Sequence, residues 1–202
     1  NEIFGQAICT IGAGRTDAGV HAHGQVFHFD APWPHAVDLL LEAMRCKFPV
    51  GISPRELKQA EPHFHALLSA NGKRYRYRVC RGWAMPEDDR FVYSLRGRVV
   101  DAGLMSSGAE AFVGLHDFAA FSANRGTDKY ENTVREVTKV EVLESKENLD
   151  FVIEGGGFLY KMVRSMVGAL LDLGGGRMEP KEIEQILACL LYTSPSPRDG
   201  LL

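Results

Sequence analysis

One acidic side chain in this sequence stands where a reactive carboxylate would be useful. Asp17 lies within residues 12–30, GAGRTDAGVHAHGQVFHFD, and Arg15 stands two positions before it. A carboxylate exposed on a constrained loop is a candidate nucleophile or general base. A loop aspartate more often only hydrogen-bonds to its own backbone, so the residue types alone leave both roles open.

Strands on both sides are expected to hold this loop. Residues 7–11 are apolar and rich in β-formers, and residues 25–29 alternate as a half-buried strand does. Glycine permits backbone conformations that other residues avoid, and four glycines lie between the two runs: Gly12, Gly14, Gly19 and Gly24. The pattern predicts a strand, a tight loop that approaches a ligand closely, and a second strand.

A second segment combines aromatic and basic side chains at strand spacing. The alternation in residues 73–79 predicts Tyr75 and Tyr77 on one face of a strand. The other face carries three basic side chains, Arg74, Arg76 and Arg78. Aromatic rings stack on bases and arginines pair with phosphates, so the segment is typical of a nucleic-acid surface. The alternative is a strand whose tyrosines enter a core while its arginines are solvated.

Apolar periodicity predicts the helices. Residues 37–48, residues 159–171 and a segment starting at Pro180 each repeat apolar side chains at helical spacing, and residues 101–113 do so more weakly. Lys161 and Arg164 lie on the polar face of the second of these helices. A short strand is expected within residues 56–69, and the β-branched runs 134–143 and 149–154 predict a hairpin.

Composition limits the classes of function. The 202 residues carry a formal net charge of −3, which argues against indiscriminate coating of nucleic acid but leaves room for a local basic groove. No apolar run approaches the ~18 residues of a membrane span, so a cytoplasmic protein is expected. The four cysteines are widely spread and form no CxxC pair, which signals neither a zinc site nor a disulfide framework.

Three separated segments resemble a known family. GRTDAGVHA with the following GQV, then KRYRYRV, then GGFLYKMVRSMVGALL are similar to the three signatures of the TruA family of tRNA pseudouridine synthases. The segments stand in the family's order, and the resemblance covers residues 8–191. It implies an isomerase that converts uridine to pseudouridine in the anticodon stem-loop of tRNA, with no cofactor and no metal. It also implies a homodimer whose two subunits form a basic cleft for tRNA.

The resemblance also implies roles for particular residues. Asp17 matches the family's essential aspartate, named here as the nucleophile, for which attack on the sugar, attack on the base and abstraction of a sugar proton all stay open. Arg164 matches the helix arginine that pairs with it. Tyr75 matches the tyrosine that packs against the target base. The remaining substrate-binding residues are expected to be Arg15, Arg74, Arg76, Arg78 and Lys161.

The implied fold is α+β, with two ferredoxin-like halves that share a mostly antiparallel sheet and carry helices on its outer face. The expected division is residues 1–71 with the catalytic loop, residues 72–191, and a disordered or non-native tail at residues 192–202. Family members carry a further strand and helix before the loop and a strand after the last helix, so the chain is expected to be a fragment. Leu67 stands where the family usually has an arginine.

Two other functions stay open at this point. His21, His23, His28 and Asp30 have residue types that bind metals, which raises the alternative of a metallohydrolase. A catalytically inactive RNA-binding fragment of the same family is the second alternative. Loss of supporting elements on either side of the loop would favour it.

Overall fold

Two compact units make up the chain in the computed structural model, which describes residues 3–17, 19–123 and 132–188. The division falls between Ala70 and Asn71. Helices and strands alternate along the chain, and the second unit contains a five-stranded mixed sheet, so the predicted α+β class is confirmed. One sheet shared by two halves stays a prediction, and the tail expected at residues 192–202 lies outside the described residues.

A short ladder frames the loop of the first unit. β1 (Ile11–Gly12) pairs antiparallel with β2 (Phe27–His28), and the Ala13 N–H donates to the Val26 carbonyl at 2.8 Å just inside it. Both strands are shorter than the runs predicted from sequence. Most side chains in residues 5–12 are exposed, so no buried face stabilises a longer strand there.

The helix predicted next in the first unit is confirmed. α1 (Val37–Lys47) buries Leu40 and Met44, one turn apart, as its apolar spacing requires. Asp38 lies in its first turn and basic side chains lie in its last, an arrangement that complements the helix dipole. Phe48 turns to extended backbone before Pro49 and ends the helix.

The strand predicted within residues 56–69 is wrong, since the structure places none there. Lys58 and Glu56 form an exposed ion pair at 2.7 Å instead of presenting an apolar face. Further along, the Ser69 N–H donates to the His65 carbonyl at 2.8 Å, which makes a turn. Local turn hydrogen bonds therefore organise this segment.

The five-stranded sheet of the second unit has β3 (Lys73–Cys80) and β7 (Asn148–Gly155) as neighbours near its centre. The other strands are β4 (Tyr93–Ser94), β5 (Gly114–Asp117) and β6 (Val134–Glu144). The order is β4-β3-β7-β6-β5, and every pairing is antiparallel except that of β3 with β4. The predicted hairpin of β6 and β7 and the predicted strand at β3 are confirmed.

Helices cover one face of this sheet. They are α2 (Ala102–Ala109), α3 (Met162–Gly174) and α4 (Pro180–Ala188). Asp101 caps α2 by accepting a hydrogen bond from the Leu104 N–H at 2.9 Å. This helix ends at Ala109, earlier than its sequence pattern predicted, and a short 3₁₀ turn follows.

The core of the second unit lies between the sheet and these helices. Apolar side chains from every layer are buried in it: Val79, Phe112, Val137, Phe151, Ile153, Met162, Met166, Leu170 and Ile183. They include every second residue of β7 and the apolar stripe of α3. The residues that repeat with strand spacing and with helical spacing in the sequence are thus the ones buried in this core. No helix within the described parts of the chain is long and apolar enough to cross a membrane.

Candidate active site

The loop between β1 and β2 holds Asp17 in a half-buried position. Its carbonyl accepts a hydrogen bond from the Val20 N–H at 3.1 Å, and Gly19 turns the backbone through a φ of 79°. The Gln25 side-chain amide donates to the Gly14 carbonyl at 2.6 Å, which ties the two sides of the loop together. Asp17 is thus carried on a loop closed by hydrogen bonds, while Arg15 is exposed on the same loop.

The histidines of the first unit do not form the metal site considered from sequence. His28 Nδ1 accepts a hydrogen bond from the Ala66 N–H at 3.1 Å, and its ring lies 4.8 Å from that of His65. His21 and His23 are exposed. Across residues 3–17, 19–123 and 132–188, no three His, Cys, Asp or Glu side chains converge to hold a metal ion.

In the second unit, the tyrosines of β3 lie on the face of the sheet that the helices cover. Tyr77 packs against the core, and Tyr75 stands two residues earlier on the same face. Phe158 packs edge-on against the Tyr75 ring, with centroids 5.1 Å apart and the planes at 82°. Such aromatic pairs contribute about 0.5–1.5 kcal/mol beyond their burial and fix the orientation of the ring.

Arg164 lies in the first turn of α3, close enough to Tyr77 to affect its ionisation. Burial raises the pKa of the Tyr77 phenol, the Arg164 guanidinium partly opposes this, and Tyr93 raises the pKa further. The phenol therefore stays neutral at neutral pH. The first turn of α3 contains no acidic side chain. The Arg164 guanidinium therefore adds its positive charge to the positive end of the helix dipole.

Lys161 marks the start of the same helix in an unusual backbone conformation. It is the residue before α3 and has a φ of 60°, which is uncommon for a residue other than glycine. The Tyr160 carbonyl accepts a hydrogen bond from the Ala123 N–H at 3.1 Å, which anchors the adjoining backbone. The Lys161 ammonium lies 5.7 Å from the centroid of the Tyr160 ring. Two predicted site residues, Lys161 and Arg164, are thus brought to one end of α3.

The three arginines of β3 lie on the opposite face from Tyr75, as their alternation predicted. Each is paired with a carboxylate of β7: Arg74 with Glu154 at 2.9 Å, Arg76 with Asp150 at 2.8 Å, and Arg78 with Asp150 at 3.0 Å. Exposed ion pairs of this kind contribute about 0–1 kcal/mol. The structure therefore does not bring these arginines together with Tyr75 and Arg164.

Phe158 and Tyr77 also lie at this site. The sequence placed Tyr77 on the aromatic face of β3 but did not indicate its contact with Arg164, and it did not single out Phe158. Phe158 follows the triple glycine at residues 155–157, and an aromatic residue just before a helix was the only signal for it. Tyr77 shares the face of Tyr75, but only the packing of α3 against β3 brings it close to Arg164. Side chains that support a site in this way depend on tertiary contacts.

Comparison with known proteins extends the resemblance seen in the three segments. A family model described as tRNA pseudouridine synthase matches residues 109–199. The tRNA pseudouridine synthase A of Chlamydia felis is 38% identical over 193 residues, covering 92% of this chain and 70% of the relative. That of Chlamydia pneumoniae is 41% identical, covering 88% and 67%, and that of Geobacillus kaustophilus is 35% identical, covering 98% and 77%.

These matches extend over both units, since the alignments cover nearly all of the chain. The alignment with the Geobacillus kaustophilus protein covers 98% of the chain and therefore includes the loop of Asp17 as well as β3 and α3. The relationship predicted from the three sequence segments is confirmed. The chain belongs to the tRNA pseudouridine synthase A family.

Proposed function

We propose that this protein isomerises uridine to pseudouridine in the anticodon stem-loop of tRNA, without a cofactor or a metal. The observation that supports this most directly is the cationic start of α3 beside the tyrosines of β3. Arg164 stands in the first turn of α3, and Phe158, in the segment between β7 and α3, packs edge-on against the ring of Tyr75 on β3. A cation and an oriented ring are what an anionic catalytic group and a flipped base require.

In the proposed reaction the Asp17 carboxylate is the nucleophile, and the bond that it forms to the substrate breaks again before the product leaves. The bond between N1 of uracil and C1′ of ribose breaks, the detached uracil turns, and a bond forms between C5 and C1′. The hydrogen on C5 leaves to water and N1 gains a proton, so the product is an isomer of the substrate. Arg164 is proposed to pair with the Asp17 carboxylate, and Tyr75 is proposed to pack against the uracil ring.

The remaining predicted contacts are proposed to hold the RNA. Arg15 and Lys161 would meet the RNA near the target nucleotide, and the arginines of β3 would meet phosphates further away. We also propose that the protein is a cytoplasmic homodimer in which two subunits form the cleft for tRNA, and that residues 1–71 and 72–191 are the two halves of each subunit. Sedimentation at two protein concentrations tests the dimer.

The direct test of the proposed function is release of tritium from tRNA that contains uridine tritiated at C5. Isomerisation replaces the C5–H bond, so each turnover releases one tritium to water. The proposal expects release by the parent chain. An inactive RNA-binding protein would bind the same tRNA, seen as a rise in the fluorescence anisotropy of labelled tRNA, and release none.

Arg164 gives a prediction that separates catalysis from binding. We expect Arg164→Ala to lower turnover by roughly 100-fold, the usual effect of removing one preorganised electrostatic partner, and Arg164→Lys to restore part of it. Single-turnover tritium release at saturating tRNA measures the effect. The control is Arg177→Ala, since Arg177 lies just beyond the other end of α3 in an ion pair with Asp172. Equal losses in both variants would show that only helix stability had changed.

The arginines of β3 give a prediction about salt dependence. Arg74 is 71% exposed and makes a single bond to Glu154, whereas Arg78 is 42% exposed and donates two hydrogen bonds to Asp150. We therefore expect Arg74→Ala to lower the slope of log affinity against log salt by about one, and Arg78→Ala to lower it less. Titrations of labelled tRNA at several salt concentrations measure both slopes. Slopes equal to that of the parent would mean that these arginines are only solvated ion pairs.

A further inference from the structure

We propose that Trp83 and Arg96 form a second RNA contact, in which an unpaired base stacks on the indole ring and Arg96 binds an adjacent phosphate. This inference rests on the proposed function. It adds a site for a nucleotide other than the target uridine. The two side chains lie on the segments that follow β3 and β4 in the second unit.

Trp83 is exposed to an extent that packing does not explain. Its relative exposure is 73%, and large aromatic side chains usually bury most of their surface. The backbone beneath it is nevertheless well held. The Ala84 N–H donates to Ser94 Oγ at 2.9 Å, and the Leu95 N–H donates to the Cys80 carbonyl at 2.8 Å. The ring is thus presented to solvent from a hydrogen-bonded support.

Arg96 lies beside this ring, and its backbone has a left-handed conformation that is unfavourable for a residue other than glycine. Its φ is 53°, and Gly97 follows with a φ of 82°. The Arg96 N–H donates to the Gly82 carbonyl at 3.0 Å, which fixes the turn next to Trp83. The guanidinium carbon then lies 5.4 Å from the centroid of the indole ring. Strained residues that persist in this way are often found at ligand-binding positions.

The charge at this position favours an anion. The arginines of β3 and Arg81 are all paired with carboxylates. Within residues 3–17, 19–123 and 132–188, by contrast, Arg96 has no carboxylate partner. A guanidinium beside an exposed aromatic ring suits a nucleotide, since the base has a face to stack and the phosphate a charge to pair.

The geometry also separates this contact from the target base. Tyr75 and Cys80 are five residues apart on β3, about 17 Å along the strand, and Trp83 lies beyond Cys80. Trp83 and Tyr75 therefore cannot stack on the same base. The contact would position the tRNA, so it is expected to affect binding and not the chemical step.

Tryptophan fluorescence gives the test, because the chain contains only two tryptophans. In a Trp33→Phe background Trp83 is the sole emitter. We expect a tRNA transcript to quench its emission with the same midpoint as the anisotropy of labelled tRNA. Bound tRNA with unchanged Trp83 emission would overturn the proposal. So would a shift of that emission with protein concentration in the absence of RNA, which would indicate self-association through this surface.

The matching kinetic test uses Trp83→Ala and Arg96→Ala in the full chain. Stacking of one base predicts that Trp83→Ala raises KM for tRNA by roughly 5- to 150-fold with kcat unchanged. Met85→Ala is the control, since Met85 is exposed in the same segment and offers neither a ring nor a charge. An unchanged KM in Trp83→Ala would contradict the inference. If the parent released no tritium, the proposed function would fail, whereas quenching by tRNA would still test this contact.

Discussion

Asp17→Asn abolishes tritium release from tRNA while leaving tRNA affinity close to that of the parent, if Asp17 is the nucleophile. The amide keeps the shape of the side chain but lacks the negative charge and the nucleophilic oxygen. Loss of a nucleophile typically lowers kcat by about 10⁴-fold or more. Tritium release under single-turnover conditions and anisotropy of labelled tRNA measure the two quantities on the same preparation.

The matched control is Asp30→Asn, an exposed carboxylate of the same unit with the same change of charge. We expect it to retain parental activity. Loss of activity in both variants would show that removing either carboxylate disturbs this unit, and it would leave no specific role for Asp17. Retention of activity in Asp17→Asn would remove Asp17 from the reaction.

The second large effect concerns the fold of the unit that carries Arg164. A Cβ atom at Gly155 would lie 2.5 Å from the Glu136 carbonyl oxygen and 3.2 Å from the Phe158 ring. The oxygen belongs to the backbone of β6, so relief of the clash requires a strand to move. We expect Gly155→Ala to lower the free energy of unfolding by about 3 kcal/mol, at the upper end of the usual cost of overpacking. The midpoint of urea denaturation, followed by circular dichroism, measures it.

Gly156 provides the control for that substitution. A Cβ atom there would have no atom within 4 Å, so Gly156→Ala is expected to unfold near the parental midpoint. Both variants make the same chemical change at neighbouring positions, which separates the effect of the clash from that of glycine itself. Equal midpoints in the two variants would show that β6 and β7 adjust to the extra methyl group.

The predictable parts of this fold are the strands and helices whose residue spacing, within a single element, shows which side chains are buried. Alternation in β3 placed Tyr75 and Arg74 on opposite faces, and the apolar stripe of α3 was visible in the sequence. Both patterns follow from the period of one element and one buried face. The helix α1 and the hairpin of β6 and β7 were predictable for the same reason.

The parts that were not predictable depend on register and on distant contacts. Whether Arg78 faces solvent alone or pairs with Asp150 is decided by the alignment of β3 with β7. The role of His28 depends on the Ala66 N–H, and metal-binding residue types alone gave no indication of that hydrogen bond. The sequence likewise gives no sign that Lys161 adopts a positive φ.

The pairing of β3 with β7, which begins at Lys73 and Gly155, also affects the order in which the sheet can form during translation. β6 and β7 are joined by a short connection and can form first, whereas β3 precedes them by a long stretch of chain. During synthesis β3 leaves the ribosome early, and until β7 has been translated only the two-residue strand β4 can pair with it. Because β3 carries Tyr75, we expect a nascent chain to acquire its tyrosine face only when the second unit is nearly complete. An unfinished chain would then be unable to hold a tRNA at this face.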